Sequence, residues 1–216
     1  MTVRRHAVPH VPGALLLAGA LSRRECGRLV ALFEALGYAP DAVPGIDCVQ
    51  VLADASLLAP LWARVAPALP QRAGGGALVG LNARLRCFRY APGAVYRPHI
   101  DGAWPGSGLH PDTGAFLEDA HDGRAVSRYT FLVYLNDGFA GGGTTFFTPG
   151  AARGAIDAWA VEPAAGAVLV FPHGDAAGSL VHEGSALDVG VKYVIRSDVL
   201  YERGAPSGRY DAKDPS

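Results

Sequence analysis

The chain has 216 residues, half of them hydrophobic, and a formal net charge of −1. That length and apolar share suffice for one packed domain, and the near-neutral balance supplies no basic field for nucleic acid or an anionic membrane surface. Cys26, Cys48 and Cys87 are odd in number and widely spaced, with no Cys-x-x-Cys pair, which fits reduced packing thiols in a cytoplasmic protein better than a disulfide or zinc framework.

Arg4 and Arg5 precede an apolar run over 14–21 that has the outline of a short signal peptide. Pro9, His10 and Pro12 break that outline, and the run leads straight into a helix start, so a buried first strand is the more economical account. No apolar run reaches the length of a membrane span. Ser22-Arg-Arg-Glu25 is a capping box, followed at helical spacing by Cys26, Leu29, Val30, Leu32, Phe33 and Leu36 until Gly37. A shorter helix is predicted over 56–66, closed by Pro67 and Pro70. From Leu81 the hydrophobic period changes to two, and β-rich runs recur at 85–90, 95–100, 129–135, 144–147, 167–171 and 192–201. Such a series reads as a sandwich or a double-sheet jelly roll. The triplet Gly141-Gly142-Gly143 has no Lys-Ser/Thr after it and reads as a turn between strands, not a phosphate loop. Residues 204–216 are polar, without periodicity, and read as a flexible tail.

The chemistry concentrates at Arg97-Pro-His99-Ile-Asp101. On extended chain, residues two apart share a side, so His99 and Asp101 aim an imidazole and a carboxylate at one point. One further histidine would complete the facial triad of a non-heme Fe(II) site, with positions left open. His182, where a late strand should end, is the candidate. Lys192 lies ten residues beyond it and Arg196 four further on, both on one side of an extended segment and suited to bind the far carboxylate of a chelating dicarboxylate. The second His-x-Asp, His173-Gly174-Asp175, sits among loop formers and is the weaker pair. His6, His10, His110, His121 and His173 are not expected to be metal ligands.

Taken together, these pieces resemble the Fe(II)- and 2-oxoglutarate-dependent oxygenases of the prolyl 4-hydroxylase type. The matching residues are Arg89-Tyr90-x-x-Gly93-x-x-Tyr96-x-x-His99-x-Asp101, Thr130-Phe-Leu-Val-Tyr134-Leu-Asn-Asp137, Gly141-Gly142-x-Thr144-Thr145-Phe146, Pro163-x-x-Gly166-x-x-x-x-Phe171-Pro, and His182-Glu-Gly with Lys192. They run in family order over about 81–201. The resemblance implies a mainly β fold: a double-stranded β-helix, or jelly-roll, core over about 81–203, with a helical N-terminal part over about 1–80 packed on it, together forming one domain over 1–203.

It also implies a catalytic triad of His99, Asp101 and His182 holding the iron, with Lys192 clamping 2-oxoglutarate. Tyr90 and Thr130 would bind the same carboxylate, and Arg196 is a second candidate clamp. Tyr96 and Trp104 would stand on the substrate side. The cofactors would be Fe(II), 2-oxoglutarate and O2, with ascorbate as a supporting reductant, and the partner a peptide or small-molecule substrate. Residues 102–127 form a loop too long for a mere connection. With Asp112, Glu118, Asp119 and Asp122 against Arg124, it is expected to act as a mobile lid that favours a substrate carrying a positive charge or several hydrogen-bond donors. Two other readings remain: a zinc hydrolase using the same triad with Glu183 as base, and a jelly-roll binding protein without catalysis.

Overall fold

A computed structural model describes residues 2–174 and 178–204. Asp175, and nearly all of the segment read as a tail, lie outside the described residues. Two antiparallel sheets face each other. The larger runs in the order Arg4–Ala7, Leu15–Ala18, Val168–Pro172, Ala125–Tyr134, Lys192–Glu202, Arg84–Tyr90, Ile46–Leu52 and Ala39–Pro40, and Gly76–Leu81 also pairs with the far end of Lys192–Glu202. The smaller runs Ile156–Val161, Thr144–Pro149, Val181–Gly184, Tyr96–His99. This is the expected jelly roll.

The alternation along each strand of the larger sheet divides the core in two. Leu85, Cys87, Phe131, Val133, Ile195, Val199 and Tyr201 face outward and are covered by helix α1 (Arg23–Leu36) and helix α2 (Ala55–Val65), chiefly through Phe33 and Val65. Phe88, Tyr90, Tyr134, Leu169, Phe171 and Val194 face inward and meet Phe146 of the smaller sheet. α1 begins as expected: the Glu25 N–H donates to Ser22 Oγ, and the Ser22 N–H donates to Glu25 Oε2 at 2.8 Å. It stops at Gly37, whose φ of 86° is a backbone state suited to glycine. Arg64 of α2 then pairs with Glu25 at 2.7 Å and ties the two helices together.

The helical description of residues 1–80 needs correction. That segment carries both helices but also donates Arg4–Ala7, Leu15–Ala18, Ile46–Leu52 and Gly76–Leu81 to the larger sheet. The apolar run read as a buried first strand is one: Leu17 is fully buried opposite Val168. Cys26 and Cys87 are buried and Cys48 is partly so, all three free thiols. Among the described residues no helix is long and apolar enough to cross a membrane.

Candidate functional site

His99 ends its strand, and its Cα partner across the smaller sheet is His182. The two rings lie 4.3 Å apart, centre to centre. Asp101, just past the strand end, brings Oδ1 to 3.5 Å from His99 Nε2 and Oδ2 to 3.7 Å from His182 Nε2. One ligand atom from each of the three lies within 4.8 Å of the others. Each imidazole turns its other nitrogen to a backbone carbonyl, His99 Nδ1 to Arg97 at 2.8 Å and His182 Nδ1 to Leu180 at 3.2 Å. Those bonds place the proton on Nδ1 and leave each Nε2 lone pair directed at the shared point, as the outer hydrogen bonds of metal-binding histidines do. Phe171 and Phe146 pack against the His182 ring, with centroids at 4.6 and 5.8 Å, and hold its orientation.

The electrostatics separate the three. Burial alone would raise the Asp101 carboxyl, but His99, Arg196, His182 and Thr130 hold it far below the usual carboxylate range. Burial opposes a charged His99 as well, yet Asp101 and the Arg97 carbonyl outweigh it and raise its pKa. At the deeper His182 burial prevails and the pKa falls. Two neutral imidazoles and one carboxylate at a single point suit a borderline divalent metal, so the donor set fits the implied iron.

Behind Asp101 runs a buried hydrogen-bond chain with one consistent direction. The Trp104 N–H donates to Ser127 Oγ at 2.8 Å, and Ser127 Oγ bonds His173 Nε2 at 2.8 Å. His173 Nδ1 bonds Thr130 Oγ1 at 2.8 Å, and Thr130 Oγ1 donates to Asp101 Oδ2 at 2.6 Å. Burial pushes the His173 pKa down to about 4, so the ring is neutral at neutral pH, with one donor and one acceptor nitrogen as this chain requires. Ser127 and Thr130 are three apart and would face opposite sides of a regular strand. The register shift between Ser127 and Tyr129 inserts one residue and turns both hydroxyls to His173.

Lys192 is buried on the inward face, directly across from Tyr90. Its Nζ donates to the Gly142 carbonyl at 2.6 Å and lies 5.0 Å from the Tyr90 ring centre and 6.0 Å from that of Tyr134. Among the described residues it pairs with no carboxylate, and burial pushes its pKa down to about 8 although Glu162 supports the charge. Gly142 has a φ of 68°, and a Cβ there would stand 3.1 Å from Leu187 Cδ1 and 3.3 Å from Lys192 Cδ, so a side chain in this turn would be strained and would crowd the lysine.

Other expected residues fall as follows. Tyr90 is buried beside Lys192, and Tyr96 rests its ring 4.7 Å from that of His99. Thr130, which the resemblance assigns to the co-substrate carboxylate, has its hydroxyl on Asp101 and His173. Arg196 reaches Asp101 and Asp198, both at 3.3 Å. Trp104 is partly exposed and stacks its ring under Arg84. The acidic loop does not border the metal pocket as expected: Asp119 accepts from the His121 and Gly123 N–H groups, Asp122 sits 3.4 Å from Arg124, and neither they nor Asp112 and Glu118 line it. Tyr134, bonded to Thr144 Oγ1 at 2.8 Å beside Lys192, carries no role in the sequence reading beyond its place in the motif. Arg86 and the bridging role of His173 were not singled out in the sequence. Tyr134 was within reach, because Thr130, Leu132 and Tyr134 alternate onto one face.

No family model and no curated protein sequence matches the chain. Its fold is nevertheless that of the 2-oxoglutarate/Fe(II) oxygenases. It is similar to a prolyl-4-hydroxylase from Pseudomonas putida, at 21% identity over 89% of this chain and 93% of the other, with a TM-score of 0.54. A 2OG-Fe(II) oxygenase family oxidoreductase from Burkholderia pseudomallei matches at 16% identity, over 88% and 84%, with a TM-score of 0.58. HygX from Streptomyces hygroscopicus, solved with nickel and 2-oxoglutarate bound, matches at 13% identity, over 94% and 91%, with a TM-score of 0.56.

Proposed function

We propose that the chain is an Fe(II)- and 2-oxoglutarate-dependent oxygenase. It would hydroxylate an unactivated C–H bond of a peptidyl residue such as proline, or of a small molecule, and release succinate and carbon dioxide. The observation that carries this reading is the buried, carboxylate-free Lys192, which lines the same pocket as the triad from the opposite sheet. A buried cation without an anion is unfavourable, and a dicarboxylate seated beside the triad supplies the missing charge. His99, Asp101 and His182 would hold the metal, which when bound activates oxygen against a C–H bond at the expense of the oxo acid. The chain's own part is to orient and to exclude water. Thr130 and His173 fix Asp101, Tyr90, Tyr134 and Thr144 shape the space around the lysine, and Phe146 and Phe171 keep the His182 side dry.

A zinc hydrolase would account for the triad but gives Lys192 no task, and its candidate base, Glu183, accepts a hydrogen bond from Ser185 Oγ at 2.9 Å. Purified protein with Fe(II), 2-oxoglutarate and a pool of amino acids and peptides should release succinate in a substrate-dependent way. Ester or amide hydrolysis with Zn(II), and no succinate with Fe(II), would favour the hydrolase instead.

A further inference from the structure

The inward face of the larger sheet carries a second cationic centre that the reaction as proposed leaves unused. Arg84 and Arg86 are two apart on one strand and share that face, and Arg86 is the direct cross-strand partner of Arg196. Like charges directly opposite destabilise a sheet, and the carboxylates around them offset that only in part. Arg84 makes no ion pair among the described residues; its Nε and Nη2 both donate to the neutral Gln50 Oε1, at 3.0 and 2.9 Å. Arg86 comes no closer than 3.7 Å to Asp41. Arg196 shares one nitrogen between Asp101 and Asp198, and its buried Nε has no acceptor.

These three arginines line a cleft of about 390 Å³ with Trp104 at its wall and two carboxylates, Asp41 and Asp198, so cations outnumber anions there, and Arg86 and Arg196 also line the metal pocket, so the two spaces adjoin. Lys192 and Arg196 are four residues apart on one strand, about 13 Å at roughly 3.3 Å per residue. The site therefore has cations at both ends, and one dicarboxylate on Lys192 satisfies only the first.

We propose that the arginine cleft binds a carboxylate of the primary substrate, and that this substrate is a small free acid, such as a free amino acid, and not an internal residue of a peptide. The inference rests on the oxygenase reading and names the substrate class of that same site. Guanidinium groups match a carboxylate with paired, planar N–H donors, and the volume of the cleft is of small-molecule size. The expected preference for a positively charged substrate is thereby reversed, since Asp112, Glu118, Asp119 and Asp122, which motivated it, line neither the metal pocket nor this cleft.

The test uses the full chain held anaerobically with Fe(II) and 2-oxoglutarate, whose visible charge-transfer band checks the oxygenase reading first. The twenty free L-amino acids, their carboxamides, and peptides carrying the same residues internally are then added one at a time, and band position and melting temperature are followed. At least one free acid should shift both, while its carboxamide and its peptide do not. Arg84→Gln and Arg86→Gln should each weaken that acid at least tenfold, and Arg86→Lys, which keeps the charge but loses the planar fork, should restore affinity only in part. A chain with a normal band that answers to none of the acids, or equally to amides or peptides, overturns the proposal. So do unchanged affinity in both glutamine variants, and loss of the band itself in either, which would assign the arginines to 2-oxoglutarate.

Discussion

The strand Lys192–Glu202 has two faces of opposite character. Ile195, Val199 and Tyr201 enter the apolar layer under the helices, whereas Lys192, Arg196 and Asp198 put buried charge into the space between the sheets. Both faces are buried, so burial does not distinguish them; satisfaction does. The outer face pairs apolar surface with apolar surface. The inner face keeps a lysine without a carboxylate, an arginine Nε without an acceptor, and an aspartate, Asp198, whose pKa burial pushes up to about 6. The outer layer stabilises the fold, and the inner layer holds incompletely satisfied charge at a cost in stability, as the proposed ligand site would require.

The largest expected effect lies on the outer face. Phe131→Ala should destabilise the protein by about 3–5 kcal/mol through the cavity it leaves, read by denaturant unfolding. Well below the lowered melting point, its affinity for 2-oxoglutarate should match wild type. A comparable loss of that affinity would show that the two faces are not separable.

On the inner face the sign should invert. Lys192→Met removes a buried charge and should raise stability by roughly 1–3 kcal/mol, while the 2-oxoglutarate requirement rises about a hundredfold with the loss of a charge-assisted bond. A variant less stable than wild type would mean that Lys192 is already compensated. Behind the triad, Thr130→Val keeps the shape but removes the hydroxyl that Asp101 uses, and metal affinity should fall about 10–100-fold, with a lowered melting temperature because the buried His173 Nδ1–H loses its acceptor.

The smallest effect is a pH dependence. The folded lysine loses its proton near 8, whereas in the unfolded chain it holds it to its ordinary value of 10.5. Over that window the unfolded state binds more protons, so stability from this group rises with pH. Affinity for 2-oxoglutarate should move the other way, falling by up to about tenfold per pH unit above 8. Lys192→Met should show neither trend.

The grouping of His99, Asp101 and His182, and the place of Lys192 on the same pocket, were legible because each rests on local spacing: His99 and Asp101 two apart on extended chain, Lys192 in step with the strand that follows His182. The capping box of α1 was legible for the same reason. What was hidden depends on other features. Ile46–Leu52 and Gly76–Leu81 join the sheet through pairing with strands far along the chain, and their mixed burial shows no clean alternation. Ile156–Val161 is largely exposed and carries little hydrophobic signal. The chain from Trp104 to Asp101 needs a bulge in the strand Ala125–Tyr134, which reverses the facing that a regular period of two counted back from Thr130 assigns to Ser127. The Arg86 and Arg196 pair becomes visible only with the cross-strand register.

The central claim is that one pocket joins a metal triad to a cation waiting for a dicarboxylate. Its most direct test is anaerobic titration of the metal-free protein with Fe(II) and then 2-oxoglutarate, followed by visible absorption, in parallel with His182→Ala. The account predicts a charge-transfer band that saturates at one 2-oxoglutarate per chain in the wild type and is lost in the variant. A full-strength band in His182→Ala, or none in a folded wild-type protein carrying Fe(II), would contradict it.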